Sequence, residues 1–420
     1  MSCTNLTPVG AEHIIGDKQG MEKTDDRLQA RIRAMKTRVE GLRAQDHYFY
    51  NQPIEELRGG ALVRTHGREM LMFASYSYLG LIGHPKITAA AKAALDQYGT
   101  GTHGVRLLAG TLNLHYELEE TIARFKHAEE AITFSSGYVT NLTAVSTLVG
   151  RHDVVICDKL NHASIVDGCM LSGADFVRFH HQDMADLERR LAKANPKSTK
   201  LVVVDAVFSM DGDVINLPRV AELCRQYGAW LMVDEAHSVG VLGKTGRGIE
   251  EHFGLEDAVD LKMGTLSKTI PSVGGYLAGK KDLINLLRHE SRAFIFSAAL
   301  PPAQAAAAKA AFEVILEEPE RVEMLRRNAM QLFGGLKHLG FNTLQTETAI
   351  MPIVCGADDC AYEMTRLCQR EGIFVLPVVS PAVPESLARL RVTVTAAHAP
   401  AEIDRALGVL EKAGKQMGLI

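Results

Sequence analysis

Short runs of consecutive apolar residues alternate with amphipathic helical segments over residues 131–300. Most of the runs are continuous rather than alternating, which is typical of strands in a sheet that helices cover on both faces. The pattern predicts an α/β, doubly wound domain whose mostly parallel sheet has about seven strands. The predicted strands are residues 131–134, 154–157, 176–179, 201–205, 230–233, 261–264 and 275–278.

The segment before this domain has a helical period. Leu28, Ile32, Met35, Val39 and Leu42 recur at steps of three and four residues. This spacing predicts a helix over residues 23–43 with one apolar stripe. We interpret the stripe as a docking face for the body of the protein or for a second subunit, rather than as a membrane anchor.

The patterns together predict three parts. An N-terminal helical segment (1–60) precedes the large α/β domain (61–300), which begins with a short hairpin at 62–64 and 70–73. A smaller C-terminal α+β domain (301–420) follows, with helices to about 316 and over 321–339 and strands at 350–354, 373–376 and 390–394. Residues 1–20 are expected to be disordered or loosely attached.

Composition excludes several classes of protein. The chain has 420 residues, 46% hydrophobic and 23% charged, with a formal net charge of −4, which argues against a general nucleic-acid surface. No apolar run approaches the roughly 20 residues of a membrane span, and the N-terminus lacks the apolar core of a signal peptide. The seven cysteines include no Cys-x-x-Cys pair, so free thiols are expected rather than a metal site. A cytoplasmic location follows from these features.

Candidate chemistry lies where predicted strands end. Asp234 and His237 follow one run, His162 follows another, and Lys268 follows a third. Ligands of doubly wound sheets bind at the carboxyl ends of strands, so these side chains are expected to converge. An amine that can bind an aldehyde, and a carboxylate that can keep a pyridine nitrogen protonated, suit pyridoxal 5'-phosphate (PLP).

A phosphate site is expected nearby. Residues 134–141 (Phe-Ser-Ser-Gly-Tyr-Val-Thr-Asn) read as a strand that passes through glycine into a helix, whose N-terminus favours an anion. Gly137 and Tyr138 would donate backbone N–H groups, and Thr265 and Ser267 would add hydroxyls. The glycine-rich stretch 99–111 is either a second cradle or a flexible turn.

From about Phe73 to the C-terminus, the order and sequence of these motifs resemble the fold-type I PLP enzymes. The resemblance is closer to the α-oxoamine synthase family, through Asn-His-Ala-Ser at 161–164, Asp-Glu-Ala-His at 234–237 and Gly-Thr-Leu-Ser-Lys at 264–268. It implies that Lys268 holds PLP and later acts as the base at the substrate Cα. It also implies that Asp234 pairs with the ring nitrogen, and that His237 reaches the phenolic oxygen.

The same resemblance assigns three further residues. His162 would stack on the cofactor ring, and Ser209, in Val-Phe-Ser-Met-Asp-Gly-Asp at 207–213, would lie near the ring oxygen. Arg391 would bind the amino-acid carboxylate, for which a guanidinium fork is suited. Arg389 would then be an ordinary surface residue.

The implied reaction is a decarboxylative condensation of an amino acid with an acyl-CoA thioester in a homodimer with shared active sites. Tyr76, the segment 177–181 and the ending 414–420 resemble the bacterial serine palmitoyltransferase branch, whose substrates would be L-serine and palmitoyl-CoA. Other branches typically carry Asn at the position of Tyr76. Val105, and Ala382 in place of a common Thr, leave the amino-acid and acyl contacts open.

Other functions are compatible with the same motifs. One is 8-amino-7-oxononanoate synthesis, or a related condensation with another amino acid or acyl donor. A PLP aminotransferase would also need the Lys268 and Asp234 pair. A non-catalytic partner subunit would keep the fold, but the presence of Lys268, Asp234, His237 and His162 together argues against it.

Overall fold

The computed structural model describes residues 26–420. The expectation for residues 1–20 lies outside this part, and the helix predicted from residue 23 would begin before it. The chain divides into two units, residues 1–50 and 51–420. In the first unit, Asp26 caps the N-terminus of helix α1 (Arg27–Ala44), and its carboxylate accepts the N–H groups of Leu28 and Gln29 at 2.9 and 3.0 Å. Leu28, Ile32 and Met35 of the predicted stripe are exposed.

The second unit starts with the predicted hairpin, which a third strand extends. Strands β1 (Glu56–Gly59), β2 (Leu62–Thr65) and β3 (Arg68–Met72) are antiparallel. The two helices that follow are α2 (Pro85–Tyr98) and α3 (Asn113–Phe125). Between β3 and α2 the chain passes through Tyr76 and Tyr78, which lie in the candidate site described below.

The predicted central sheet is confirmed in all its strands. These are β4 (Glu130–Phe134), β5 (Val154–Asp158), β6 (Asp175–Phe179), β7 (Lys200–Asp205), β8 (Trp230–Asp234), β9 (Leu261–Thr265) and β10 (Gly275–Gly279). Their order is β4-β10-β9-β8-β7-β5-β6, and only β10 runs antiparallel to its neighbours. The sheet is therefore the mostly parallel one of seven strands that the sequence predicts.

Helices connect the strands and cover the sheet. They are α4 (Gly137–Leu148), α5 (Ala163–Ser172), α6 (Met184–Lys193), α7 (Leu217–Tyr227), α8 (Ile249–Phe253), α9 (Lys281–Glu290) and α10 (Arg292–Ile295). Val202, Val203 and Val204 of the interior strand β7 are fully buried, although successive side chains of a strand point to opposite faces. Burial on both faces explains why the strands read as continuous apolar runs.

The rest of the chain contributes helices and two small sheets. Its elements are α11 (Pro302–Glu317), α12 (Glu320–His338), β11 (Ile350–Gly356), α13 (Asp358–Arg370), β12 (Ile373–Phe374), β13 (Pro377–Val378), β14 (Ala388–Thr393) and α14 (Pro400–Gln416). Strand β12 pairs with β3 in the sheet β1-β2-β3-β12, and β11-β14-β13 form an antiparallel sheet. The division at residues 300 and 301 stays a prediction. Within residues 26–420, no helix combines the length and the apolar character needed to cross a bilayer.

Candidate active site

Four strands of the central sheet end in polar residues at one edge. Strands β5, β7, β8 and β9 are mutually parallel, and they end at Asp158, Asp205, Asp234 and Thr265. Asp205 and Asp234 face each other across the β7–β8 ladder, as Asp234 and Met263 do across β8–β9. The predicted site residues therefore meet at the carboxyl edge, as the topology requires.

A hydrogen-bonded chain of three side chains ends at Lys268. The Lys268 Nζ lies 2.8 Å from His237 Nε2, and His237 Nδ1 lies 2.6 Å from the Tyr78 hydroxyl oxygen. Burial raises the pKa of Tyr78 to about 12, so the hydroxyl keeps its proton and donates to Nδ1. Burial, together with the positive charges of Lys268 and Arg391, holds the pKa of His237 well below its ordinary value. A neutral His237 that accepts at Nδ1 carries its proton on Nε2 and donates it to an uncharged Lys268 amine.

Lys268 itself is set for reaction at moderate pH. Burial lowers the pKa of Lys268 to about 8, against the opposing effect of the carboxylates of Asp234 and Asp205. An ordinary lysine, with a pKa of about 10.4, is almost wholly protonated at neutral pH. The site therefore provides an amine that can act as a nucleophile and as a base, and its role as the base at the substrate Cα stays a prediction.

Asp234 is buried and held from two sides. One carboxylate oxygen accepts the Ala236 N–H at 2.8 Å, and the other accepts the Asn141 side-chain amide at 2.7 Å. That amide also donates to the Ser164 hydroxyl at 2.9 Å, so Asn141 joins α4 to β8 and α5. These contacts fix the carboxylate at the base of the site, where a pyridinium N–H could reach it.

Asp205 is a second buried carboxyl beside Asp234. Burial and the charge of Asp234 raise the pKa of Asp205 well above its ordinary value. One oxygen accepts the backbone N–H of His162 at 3.2 Å, while the other has no hydrogen-bond partner among residues 26–420. The side-chain oxygen of Asn141 is also buried and has no partner among these residues. Buried oxygens without partners are costly, so they fit a site that a polar ligand completes.

The predicted phosphate site has the expected local structure. Helix α4 begins at Gly137, and Ser136 at its N-cap accepts the Val139 N–H at 3.1 Å, which leaves the first N–H groups of the helix for an anion. A Cβ at Gly137 would lie 2.9 Å from the Thr265 hydroxyl oxygen, so only glycine leaves this approach open. The Thr265 and Ser267 hydroxyl oxygens are 2.9 Å apart on the opposite side of that approach.

His162 lies at the N-terminus of α5, and one ring nitrogen is 2.7 Å from the Ser164 hydroxyl oxygen. The ring meets that of Tyr138 edge-on, with the centroids 6.3 Å apart. The Tyr138 hydroxyl in turn donates to Asp167 of the same helix α5. Tyr138 therefore links the phosphate side of the site to the predicted ring-stacking histidine.

The arginines of β14 contact the loop that follows β7. Arg391 donates from Nε to the Ser209 carbonyl at 2.6 Å and from Nη1 to the Thr393 hydroxyl at 3.0 Å. Its guanidinium lies 4.8 Å from the centroid of the Tyr76 ring, and the Lys268 Nζ lies 5.7 Å from the same centroid. Tyr76 therefore lies between Arg391, which is predicted to bind the substrate carboxylate, and Lys268, which is predicted to bind the cofactor.

The expectation that Arg389 lies on the surface was wrong. Its side chain is buried and forms an ion pair with Asp211. Arg389 and Arg391 are two residues apart on one strand, so their side chains leave the same face, and both reach the loop of residues 207–213. The charge of Arg389 is stabilised there by a carboxylate of that loop rather than by water.

Sequence reasoning left three contributors without a role. Asn141 lies in the quoted stretch 134–141, Tyr78 lies two residues after Tyr76, and Asp205 ends a predicted strand. The sequence carried a signal for Asp205, because Asp205 directly follows the apolar run of residues 201–204. In the structure, Asp205 pairs with Asp234 across strands β7 and β8. Tyr78 and Asn141 gave no such signal, since their partners are 159 and 93 residues away in the chain.

The residues present fit PLP. The chain offers a buried amine, a carboxylate for the ring nitrogen, partnerless buried oxygens and a helix N-terminus for the phosphate. The predicted site residues lie at strand ends, helix starts and loops of the central sheet, except for Arg391, which reaches the loop after β7 from within β14. The arrangement can bind PLP, bring an amine to it and exchange a proton through Lys268.

The chain resembles known proteins over most of its length. Residues 68–410 match the family "Aminotransferase class I and II". The 8-amino-7-oxononanoate synthase of Thermoanaerobacter pseudethanolicus is 44% identical over 387 residues, which are 89% of this chain and 98% of that protein. The serine palmitoyltransferase of Bacteroides ovatus is 43% identical over 377 residues, which are 90% of this chain and 95% of that protein.

Solved structures have the same fold. A serine palmitoyltransferase described with a PLP internal aldimine superposes with a TM-score of 0.90 at 35% identity, over 94% of this chain and all of that one. The 8-amino-7-oxononanoate synthase from Francisella tularensis has a TM-score of 0.72 at 26% identity, over 83% of this chain and 98% of that one.

Proposed function

Because this chain belongs to the class I and II aminotransferase family and, within it, to the PLP-dependent α-oxoamine synthases, we propose that it condenses L-serine with a long-chain acyl-CoA. Palmitoyl-CoA is the proposed acyl donor, and 3-ketosphinganine, CoA and CO2 are the products. The new bond joins the amino-acid Cα to the acyl carbon, the thioester C–S bond breaks, and the amino-acid carboxylate leaves as CO2. Acyl-CoA as a substrate is consistent with the expected cytoplasmic location.

Bound PLP would capture the substrate amine and delocalise the negative charge that develops at Cα. Lys268, as the uncharged amine, would accept the Cα proton, and the His237–Tyr78 pair would hold that amine in place. Asp234 would keep the ring nitrogen protonated, and His162 would cover one face of the ring. Arg391, anchored on Ser209, would orient the substrate carboxylate.

Tyr76 is the observation that favours serine and a long acyl chain. Its ring contacts the guanidinium of Arg391, and 42% of the residue is still exposed, so it also borders the route into the site. An aromatic ring supports a cation on one side and offers apolar contact to an acyl chain on the other. The resemblance described above places tyrosine here in serine palmitoyltransferases and asparagine in the other branches.

8-Amino-7-oxononanoate synthesis is the second candidate. Relatives with that activity are 44% identical to this chain, against 43% for serine palmitoyltransferases. The name of the product implies an amino acid with a methyl side chain and a seven-carbon acyl group that ends in a carboxylate. The two reactions therefore differ in both substrates.

The experiment is a matrix of substrates with purified PLP-loaded protein. Serine, alanine and glycine are each combined with thioesters of short, medium and long chains, including one that ends in a carboxylate, and CoA release and the product mass are measured. We expect the highest kcat/KM for serine with the long chain. A preference for alanine with the carboxylate-ended thioester would overturn the proposal in favour of the second candidate. Colourless protein that releases no CoA would indicate the non-catalytic subunit.

We also propose that the protein is a homodimer. Leu108 and Phe296 are 82% and 73% exposed, and the bridge between Val105 and Ala298 brings their two loops together. Large apolar side chains grouped on a surface indicate an interaction site. Leu108 belongs to the glycine-rich stretch 99–111, which the resemblance to the α-oxoamine synthases implies to line the active site near the dimer interface. The partner would then complete that side of the site.

A further inference from the structure

We propose that His181 is a positioning residue of the active site, because it bridges the two segments that present His162 and Ser209 to the cofactor. The sequence indicated no role for His181. Within residues 26–420, its ring nitrogens face Asp158 and Asp213, neither of which is a predicted cofactor ligand. The inference rests on the proposed PLP chemistry of this site. It concerns how the chain holds two parts of that site together.

His181 contacts one carboxylate from each of its ring nitrogens. Nδ1 lies 3.0 Å from Asp158 Oδ1, and Nε2 lies 3.0 Å from Asp213 Oδ2. The ring packs edge-on against Phe208, with the centroids 4.4 Å apart. Ionised carboxylates only accept hydrogen bonds, so both contacts form together only when each ring nitrogen has a proton.

The surroundings favour this doubly protonated state. Burial opposes the charge, but the hydrogen bonds from His181 to Asp158 and Asp213 outweigh it and raise the pKa of His181 to about 10. The charged groups that face the ring are Asp158 at the end of β5 and Asp213 in the loop after β7. Phe208, which packs against the ring, and Gln182, whose side-chain amide donates to Asp213, carry no charge.

Asp158 shapes the turn that leads to His162. Its carboxylate also accepts the N–H groups of Leu160 at 2.8 Å and Gln182 at 3.0 Å. Its carbonyl accepts the Asn161 N–H at 3.2 Å, immediately before His162 begins helix α5. The position of Asp158 therefore determines the position of the backbone that carries the His162 ring.

Asp213 closes the loop that contains Ser209. Its carbonyl accepts the Phe208 N–H at 3.1 Å, and its carboxylate accepts the Gln182 side-chain amide at 3.0 Å. The same loop accepts Arg391 at the Ser209 carbonyl. His181 thus joins the segment of His162 to the loop on which Arg391 is anchored.

Removal of the imidazole would leave two carboxylates facing each other in a partly buried space. Like charges repel strongly where water screens them poorly, so the two segments should separate. The expected result is a looser cofactor and a displaced Arg391, because both depend on these segments. A displacement of this kind lowers catalytic efficiency without removal of any reacting group.

The test compares His181→Phe with His180→Phe in PLP-loaded protein. Phenylalanine keeps a ring against Phe208 but removes both donors. The side chain of the neighbouring His180 is 68% exposed, and its ring nitrogen Nδ1 lies 2.7 Å from Asp186 in the first turn of α6. The measurements are the visible circular dichroism of bound PLP, the PLP dissociation constant, and kcat and KM for the amino acid.

For His181→Phe, we expect a reduced circular-dichroism band, PLP binding weakened by about tenfold and kcat/KM lowered by about 10- to 100-fold. His180→Phe should match the unmodified protein in all of these measurements. Unchanged circular dichroism and PLP affinity in folded His181→Phe would overturn the proposal.

His181→Gln provides a second, milder test, which decides the matter if His181→Phe does not fold. Glutamine can still donate to one carboxylate, so its effects on circular dichroism and PLP affinity should have the same direction and a smaller size. Values for His181→Gln equal to those of His180→Phe would also reject the positioning role. These readouts need no acyl substrate, so they remain interpretable if the proposed serine condensation itself fails.

Discussion

At Lys268, burial and neighbouring carboxylates act on the amine in opposite directions. The effect of burial is the larger one, and it lowers the pKa of Lys268 to about 8. When the amine is uncharged, its nitrogen can accept a hydrogen bond from Nε2 of the neutral His237. The protonated amine has no lone pair with which to attack an aldehyde. Below the pKa the reactive fraction is therefore small, and above it most of the protein is reactive.

The rate at which PLP-free protein captures PLP should therefore rise with pH through about 8 and then level off. Stopped-flow absorbance with excess PLP would measure it. Lys268→Ala should show no covalent phase at any pH, and its turnover should fall by more than about 10²-fold because the base is lost. A capture rate that is independent of pH between roughly 6.5 and 9.5, on either side of the lysine pKa, would contradict this assignment.

Tyr78 makes a second prediction at the scale of one residue. Its hydroxyl donates to His237 Nδ1 at 2.6 Å in a fully buried place. Tyr78→Phe removes that donor but keeps the ring, and it leaves a buried nitrogen without a partner. We expect a loss of about 1–3 kcal/mol in the free energy of unfolding.

Urea unfolding of the PLP-free protein would measure that loss. Tyr227→Phe is the matched control, since its hydroxyl lies 3.3 Å from Glu188 near the surface and should matter little. Equal stability of the two variants would mean that the Tyr78 hydroxyl does not orient His237.

At the scale of elements, a buried ion pair joins the end of α3 to the turn after β8. Lys126 Nζ lies 2.7 Å from Glu235 Oε1, and their side chains are 3% and 1% exposed. Glu235 Oε2 also accepts the Ser238 hydroxyl at 2.8 Å and the Ile249 N–H at 2.9 Å. The pair therefore holds the turn between Asp234 and His237.

Lys126→Met should destabilise the protein by about 3–5 kcal/mol, because it leaves Glu235 as an unpaired buried charge. The double variant with Glu235→Gln should lose less than the single variant, since no charge remains. Lys415→Met is the control, because the pair of Lys415 and Glu411 is 65% and 38% exposed, and such surface pairs contribute about 0–1 kcal/mol. Denaturant titration would measure all three, and equal losses for Lys126→Met and Lys415→Met would contradict the argument.

At the scale of the whole molecule, the proposed dimer gives a test. Sedimentation should find a species of twice the 45.8 kDa chain mass. Phe296→Ser should shift it toward the monomer, because a buried large apolar side chain contributes about 1.5–3 kcal/mol, which is roughly tenfold or more in the dissociation constant. Met330→Ser is the control, as Met330 is 66% exposed in α12. A monomer at all concentrations would reject the dimer.

The sequence by itself determined the central sheet and the residue types of the site. Strands buried on both faces must be short apolar runs, and polar residues that follow them must collect at one edge. Both statements depend on local periodicity and topology, so the seven strands and the place of Lys268, Asp234 and His162 were readable from the chain. The same local patterns predicted the helices α1, α11 and α12.

Only the tertiary structure decided which groups are partners. Arg389 was expected on the surface because Arg391 was assigned to the substrate carboxylate, yet Arg389 pairs with Asp211, which is 178 residues away. The bonds from Tyr78 to His237 and from His181 to Asp213 likewise join separate segments. Periodicity specifies which face of an element is buried, but the partner across that face depends on how the whole chain packs, and burial and charge then set the pKa of each group.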